Sequence, residues 1–212
     1  MAAPLRVAVA GMGTVGGGVM QILKKKAPML ARRAGRPIEL VACSDLAQMD
    51  VPGVSMDGVK FYDDCIAMAN EQECDVLVET IGGMGVAKGF FEAGLGKGKN
   101  VVTANKALLA THGLALATVA ESSGVTIGYE AAIGGGIPCV KGLREGLSAN
   151  EVQRVHGIIN GTCNYILTTM AETGRDFEDV LAEAQAKGYA ETPPDLDVDG
   201  PDTAHKLCLV RF

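Results

Sequence analysis

The chain has 212 residues, 48% of them hydrophobic, with 28 glycines, no tryptophan and a formal net charge of −6. That is one large domain or two small ones with a substantial core, in a composition that suits an α/β protein with many tight turns. The acidic balance argues against nucleic acid as a general partner, and no apolar run approaches the roughly 18 residues needed to cross a bilayer. The N-terminus lacks a signal-peptide pattern and enters a strand almost at once. Six cysteines, at positions 43, 65, 74, 139, 163 and 208, form no C-x-x-C pair. They read as reduced thiols of a cytoplasmic protein, not as a disulfide frame or a zinc site.

The first apolar run, residues 5–10, reads as a buried parallel strand. It leads into Gly11-Met12-Gly13-Thr14-Val15-Gly16, and a helical segment with apolar Val15, Val19, Ile22 and Leu23 follows. In that context the G-x-G-x-x-G is a dinucleotide fingerprint. Gly11 permits the tight turn, Gly13 lets the backbone approach a pyrophosphate, and Gly16 lets helix and strand pack closely. The helix start offers N–H groups and a positive dipole to phosphates. Lys24, Lys25 and Lys26, with Arg32 and Arg33, read as a solvated helix face.

Strand two follows at 38–43, then a helix at 63–71 and a buried strand at 75–80 that closes on Ile81-Gly82-Gly83. A helix at 86–95, a strand at 100–103, a helix at 113–122 and a strand at 125–129 complete the alternation. It predicts a Rossmann-type, doubly wound parallel sheet with its ligand crevice at the carboxyl ends of the strands. Glu79-Thr80, Thr103-Ala104-Asn105-Lys106 and Glu130 fall at such ends.

Past Glu130 the character changes. Gly134-Gly135-Gly136 reads as a hinge, so residues 1–133 form a nucleotide-binding domain and 134–212 the first part of an α+β substrate and dimerisation domain. Its expected elements are a helix at 140–147, a strand at 152–159 and helices at 163–173 and 177–187. The stretch 188–206 then carries five acids, Glu191, Asp195, Asp197, Asp199 and Asp202, and ends on Lys206. Pro201 suits a first helical position, with Gly200 or Asp199 as cap. Asp202 and Lys206 share one face at i,i+4 spacing. The helix's positive end and Asp202 act on the ammonium in opposite senses, which suits a group that gives and takes a proton. A solvated acidic loop followed by an ordinary ion pair explains the same residues. The last six residues, Leu207-Cys208-Leu209-Val210-Arg211-Phe212, look like mid-helix without a stop signal, the pattern of a C-terminal truncation.

Taken with both ends, the chain resembles homoserine dehydrogenase. The resemblance rests on Gly11–Gly16, residues 79–83, 103–109, 130–138, 143–147 and 157–168, and the acidic run ending in Lys206. Asn160-Gly161-Thr162-Cys163-Asn164-Tyr165-Ile166-Leu167 and the acidic run are its most specific parts. It implies a dimeric, NAD- or NADP-dependent enzyme that reversibly reduces aspartate 4-semialdehyde to homoserine, a step towards threonine, methionine and isoleucine. By resemblance, Lys206 is the proton donor, Asp202 orients it, and Lys106 lies near nicotinamide and substrate. Glu191 and Asp197 take the substrate ammonium, and the fingerprint with Thr80, Thr103 and Lys106 takes the cofactor. Glu130 with the backbone of Ile133, Gly135 and Ile137 matches a monovalent cation (Na+) site of some relatives, although a hinge explains those glycines equally well. One departure concerns the cofactor. Many relatives carry an arginine where this chain has Ser44, just before Asp45, and an acid at that strand end favours a ribose hydroxyl over a phosphate. The expectation leans to NAD. The alternatives are a related dehydrogenase acting on aspartate or another amino acid, and a non-catalytic nucleotide-binding fragment.

Overall fold

The computed structural model of the chain describes residues 2–190 and 192–210. It divides into two compact units, Met1–Gly136 and Ile137–Phe212, a boundary three residues past the expected one. In the first unit β1 (Leu5–Ala10) buries its last four residues and runs into α1 (Thr14–Lys25). Lys24 and Lys25 fall in the last turn of α1, where the dipole favours cations. A second helix not anticipated from the sequence, α2 (Ala27–Ala34), has Pro28 in its first turn and stops at Gly35, whose φ is 73°. Then come β2 (Ile38–Ser44), the short β3 (Lys60–Tyr62), also unanticipated, and α3 (Cys65–Glu71), capped by the Asp64 carboxylate on the Ile66 and Ala67 N–H groups.

β4 (Val76–Glu79), α4 (Gly85–Gly96), β5 (Asn100–Thr103), α5 (Lys106–Ser122) and β6 (Ile127–Gly128) follow. α5 begins at Lys106 and not at 113, because Asn105 caps it by accepting the Leu108 N–H. The six strands are parallel in the order β3-β2-β1-β4-β5-β6. Strand order reverses between β1 and β4, which places the ligand crevice outside their carboxyl ends.

Val7, Val9, Met20, Leu40, Cys43 and Val78 form the core under α1. α4 buries Phe90, Phe91 and Leu95 completely, each contributing about 1.5–3 kcal/mol. Two charged residues staple the amino ends of the strands. The Asp75 carboxylate accepts the Arg6 N–H at 2.7 Å, and that N–H, followed by the Arg6 guanidinium, holds its pKa below the usual carboxylate range. Buried Lys99 donates to the carbonyls of Ala69 at 2.6 Å and Gln72 at 2.7 Å, placing a cation on the C-terminus of α3.

In the second unit α6 (Cys139–Lys141) passes into a π turn over Gly142–Gly146 instead of the regular helix expected to 147, since both glycines weaken helical order. The strand expected at 152–159 is not formed: the stretch is irregular and almost wholly exposed. A strand exists only against a partner, and among the described residues none lies beside it. α7 (Gly161–Thr173), α8 (Phe177–Ala186), α9 (Asp195–Val198) and α10 (Pro201–Val210) make up the rest. Ile166, Val180, Ala184 and Ala190 form their core. Within the acidic run, 195–198 and 201–206 are helical, while the described residues between 188 and 194 form turns and bends. In α10 Leu209 is buried while Leu207 stays exposed. All six cysteines are free thiols.

Candidate functional site

The fingerprint loop is shaped by two close approaches and one open position. Gly11 has φ 92°, and a side chain there would place its Cβ 2.7 Å from the Thr80 carbonyl oxygen. A Cβ on Gly16 would lie 1.8 Å from the Gly11 oxygen, so strand and helix meet only because both residues lack one. A Cβ on Gly13 would meet nothing within 4 Å. Gly13, Thr14 and Val15 form the exposed crest of the loop, and no side chain caps α1. An open, glycine-lined backbone before an uncapped helix start fits a dinucleotide pyrophosphate.

The loop is tied to its neighbours. The Thr80 hydroxyl donates to the Ala10 carbonyl at 2.8 Å, with the Gly11 oxygen at 3.1 Å. The Met12 N–H donates to Asp45 Oδ2 at 2.6 Å and the Leu46 N–H to Oδ1 at 2.7 Å, so Asp45 braces the fingerprint from β2. Ser44 points inward and is 1% exposed, whereas Leu46 is 94% exposed. Of the pair read from the sequence, Ser44 is packed away and Asp45 is half-buried.

A buried polar centre lies at the ends of β4 and β5. Glu79 Oε1 accepts the N–H groups of Ile81 and Gly82, both at 2.9 Å. The Thr103 hydroxyl donates to the other oxygen and accepts the Asn105 N–H at 2.8 Å. Asn105 Nδ2 donates to the Gly83 carbonyl at 2.6 Å. The Thr103 hydroxyl is thus committed inward and shapes the crevice through the loops it holds. Lys106, half-buried, opens α5 beside this centre. Glu130 begins a short 3-10 turn, Glu130–Ala132, and buried Ile133 donates its N–H to the Glu130 carbonyl. Of the four cation-site positions, Glu130, Ile133 and Gly135 belong to the first unit and Ile137 to the second.

In the second unit Lys206 Nζ donates to Asp202 Oδ2 at 2.6 Å and to the Ile159 carbonyl at 2.8 Å. The lysine side chain is 18% exposed and Asp202 is buried. Asn160, the cap of α7, donates to Asp202 and to the Asp197 carbonyl. Asp197 sits half-buried on α9, and Glu191 lies outside the described residues. Cys163 Sγ donates to the Asp197 carbonyl at 3.2 Å. Burial, aided by Asp197 and Asp202, raises its pKa, which disfavours a thiolate. The unit thus gathers one ammonium, one buried carboxylate and one amide, a set able to hold and release a proton. The sequence reading missed the parts played by Asn160 and Glu79. An asparagine directly before a helical run was the available sign for the first.

Residues 11–130 match the family described as "Homoserine dehydrogenase, NAD binding domain", and residues 138–211 match "Homoserine dehydrogenase". The chain is 47% identical over 207 residues to the homoserine dehydrogenase of Pseudomonas aeruginosa, a match covering 98% of this chain and 47% of that protein. With the enzyme of Neisseria gonorrhoeae the identity is 42% over 207 residues, with the same coverage of 98% and 47%. The crystal structure of a homoserine dehydrogenase from Thiobacillus denitrificans superposes with a TM-score of 0.88 at 42% identity, over 97% of this chain and 47% of that one. The chain spans about half the length of the curated relatives it matches.

Proposed function

The chain belongs to the homoserine dehydrogenase family, and on that premise we propose that it supplies the nucleotide-holding unit and the proton-handling helix of an enzyme that reduces L-aspartate 4-semialdehyde to L-homoserine. The observation that carries this reading is the Lys206 ammonium, gripped by Asp202 and the Ile159 carbonyl on a largely covered side chain. Nicotinamide, when bound, supplies the hydride for the aldehyde carbon. Lys206 gives a proton to the oxygen that becomes the alcohol, takes it back in the reverse direction, and is oriented by Asp202. Lys106 adds positive charge near the carbonyl, and Glu191 and Asp197 hold the substrate ammonium.

The residues from Gly11 to Gly16 hold the pyrophosphate, with Thr80 and Thr103 shaping the wall behind it. Asp45 takes the ribose hydroxyls, which favours NAD. Glu130 and the carbonyls of Ile133, Gly135 and Ile137 are the donor type a monovalent cation would take. The second unit serves substrate binding and pairing into a homodimer, in a cytoplasmic enzyme. The test is absorbance at 340 nm with aspartate semialdehyde and either reduced cofactor. Oxidation of NADH that depends on the semialdehyde is expected. Oxidation with neither cofactor would overturn the reading.

A further inference from the structure

Asn160 is 7% exposed and stands directly before α7. Its Oδ1 accepts the Cys163 N–H at 2.7 Å, which caps the helix. Each proton of its Nδ2 has one acceptor, the Asp197 carbonyl at 3.0 Å and Asp202 Oδ2 at 3.3 Å. The partners fix which amide atom is which, because a backbone N–H only donates and a carbonyl only accepts. One side chain therefore ties together the start of α7, the α9 backbone and the first turn of α10.

The preceding residue joins the same arrangement, since the Ile159 carbonyl takes Lys206. The Asn160 amide and the Lys206 ammonium converge on one atom, Asp202 Oδ2. Capping alone asks only for an acceptor, and serine or aspartate supplies one equally well. What asparagine adds is two donations. One lands on the carboxylate that grips Lys206, the other on the backbone of Asp197.

We propose that Asn160 is a positioning residue: its amide fixes Asp202 Oδ2, and through it the direction of the Lys206 ammonium, while anchoring α9 at Asp197. Its effect on turnover rests on the proton-donor reading of Lys206, but its effect on the lysine itself does not. The experiment compares the protein with Asn160→Ser and Asn160→Thr, both of which retain a capping oxygen and add no charge. Melting temperature reports the fold. Competitive acetylation by acetic anhydride, read by mass spectrometry against the lysines of the first unit, reports how firmly Lys206 is held. Turnover reports the reaction.

In N160S the melting temperature stays near wild type, Lys206 is acetylated several-fold faster, and turnover falls about tenfold or more, as expected when a reacting group loses its alignment. N160T decides the matter in the same way if N160S does not fold. An unchanged acetylation rate of Lys206 in a folded variant overturns the proposal whatever turnover does. If the wild-type protein turns over no semialdehyde, the functional reading fails while the acetylation comparison still decides the role of Asn160.

Discussion

Glu79 and Thr103 are register partners at the ends of adjacent strands, and the Thr103 hydroxyl donates to Glu79 Oε2 at 2.5 Å with both residues buried. The other oxygen holds two N–H groups of the loop after β4, so one side chain sets the wall of the crevice from inside the protein. Glu79→Ala would leave three donors without an acceptor, at about 1–3 kcal/mol for each one that finds no substitute. We expect a loss of at least about 3 kcal/mol in urea unfolding, together with weaker dinucleotide binding. Glu79→Gln keeps one carbonyl oxygen for the two N–H groups and should lose about 1 kcal/mol. Equal unfolding midpoints for wild type and Glu79→Ala would show that the loop does not depend on the carboxylate.

Lys206→Ala tests the proposed proton-donor role. The fingerprint belongs to the other unit, so nicotinamide binding, followed by calorimetry, should be almost unchanged. Turnover should fall about 100- to 10,000-fold, the range for loss of a general acid. A variant within threefold of wild type would take Lys206 out of the mechanism.

If Asp45 takes the ribose as proposed, cofactor preference turns on which side chains beside it are free to change. Ser44 is packed inward, so Ser44→Arg would force a guanidinium into the core and destabilise the unit. Leu46 points to solvent next to Asp45, and Leu46→Arg can offer a bidentate partner to a 2′-phosphate. The ratio of kcat/KM for NADPH to that for NADH should rise in Leu46→Arg. A ratio that stays put would locate phosphate discrimination elsewhere.

Acid stability of the second unit should depend on Glu183. Its carboxylate accepts from Lys187 and from the Tyr165 hydroxyl at 2.6 Å, and it pairs with Arg175. These hydrogen bonds, Lys187 first, lower its pKa from 4.5 to about 2. A folded-state pKa below the unfolded one stabilises above the unfolded value and is lost as protons return. The stabilising contribution of Glu183 over Glu183→Gln should thus be complete above pH 4.5 and vanish as the pH falls to about 2. Urea midpoints across that window check it, and a gap that does not narrow would contradict it.

Lys99→Met should also cost stability. It removes an ammonium from the Ala69 and Gln72 carbonyls and leaves the end of α3 with buried acceptors. Hydrogen bonds to charged groups are worth about 1.5–3 kcal/mol, and a loss of that size is expected in denaturant unfolding. No change would mean that water replaces the lysine at no cost.

The nucleotide unit was legible in the sequence because its signals are local. Strand, glycine fingerprint and helix follow one another, and each glycine has its own steric task. α5 starts earlier than its sequence pattern predicts because Asn105, at a strand end, is also its cap. The stretch 152–159 has the composition of a strand, but a strand is a relation between two segments, and composition reports on one. Glu79 and Asn160 escaped for a similar reason. Their partners lie up to 24 and 42 residues away, and no periodicity encodes a hydrogen bond across that distance. Asp202 and Lys206 were visible because one helical turn joins them.

The glycines of the fingerprint also divide the demands of folding from those of recognition. A side chain at Gly16 collides with the strand turn itself, so variants there should disappear from the soluble fraction before their chemistry can be measured. A side chain at Gly13 projects into open space, so variants there should accumulate normally and fail only when a dinucleotide is offered. Substitutions along six consecutive positions would therefore sort by abundance at both ends of the motif and by ligand retention in its middle. The two selective pressures on this loop can be read separately within a single turn of chain.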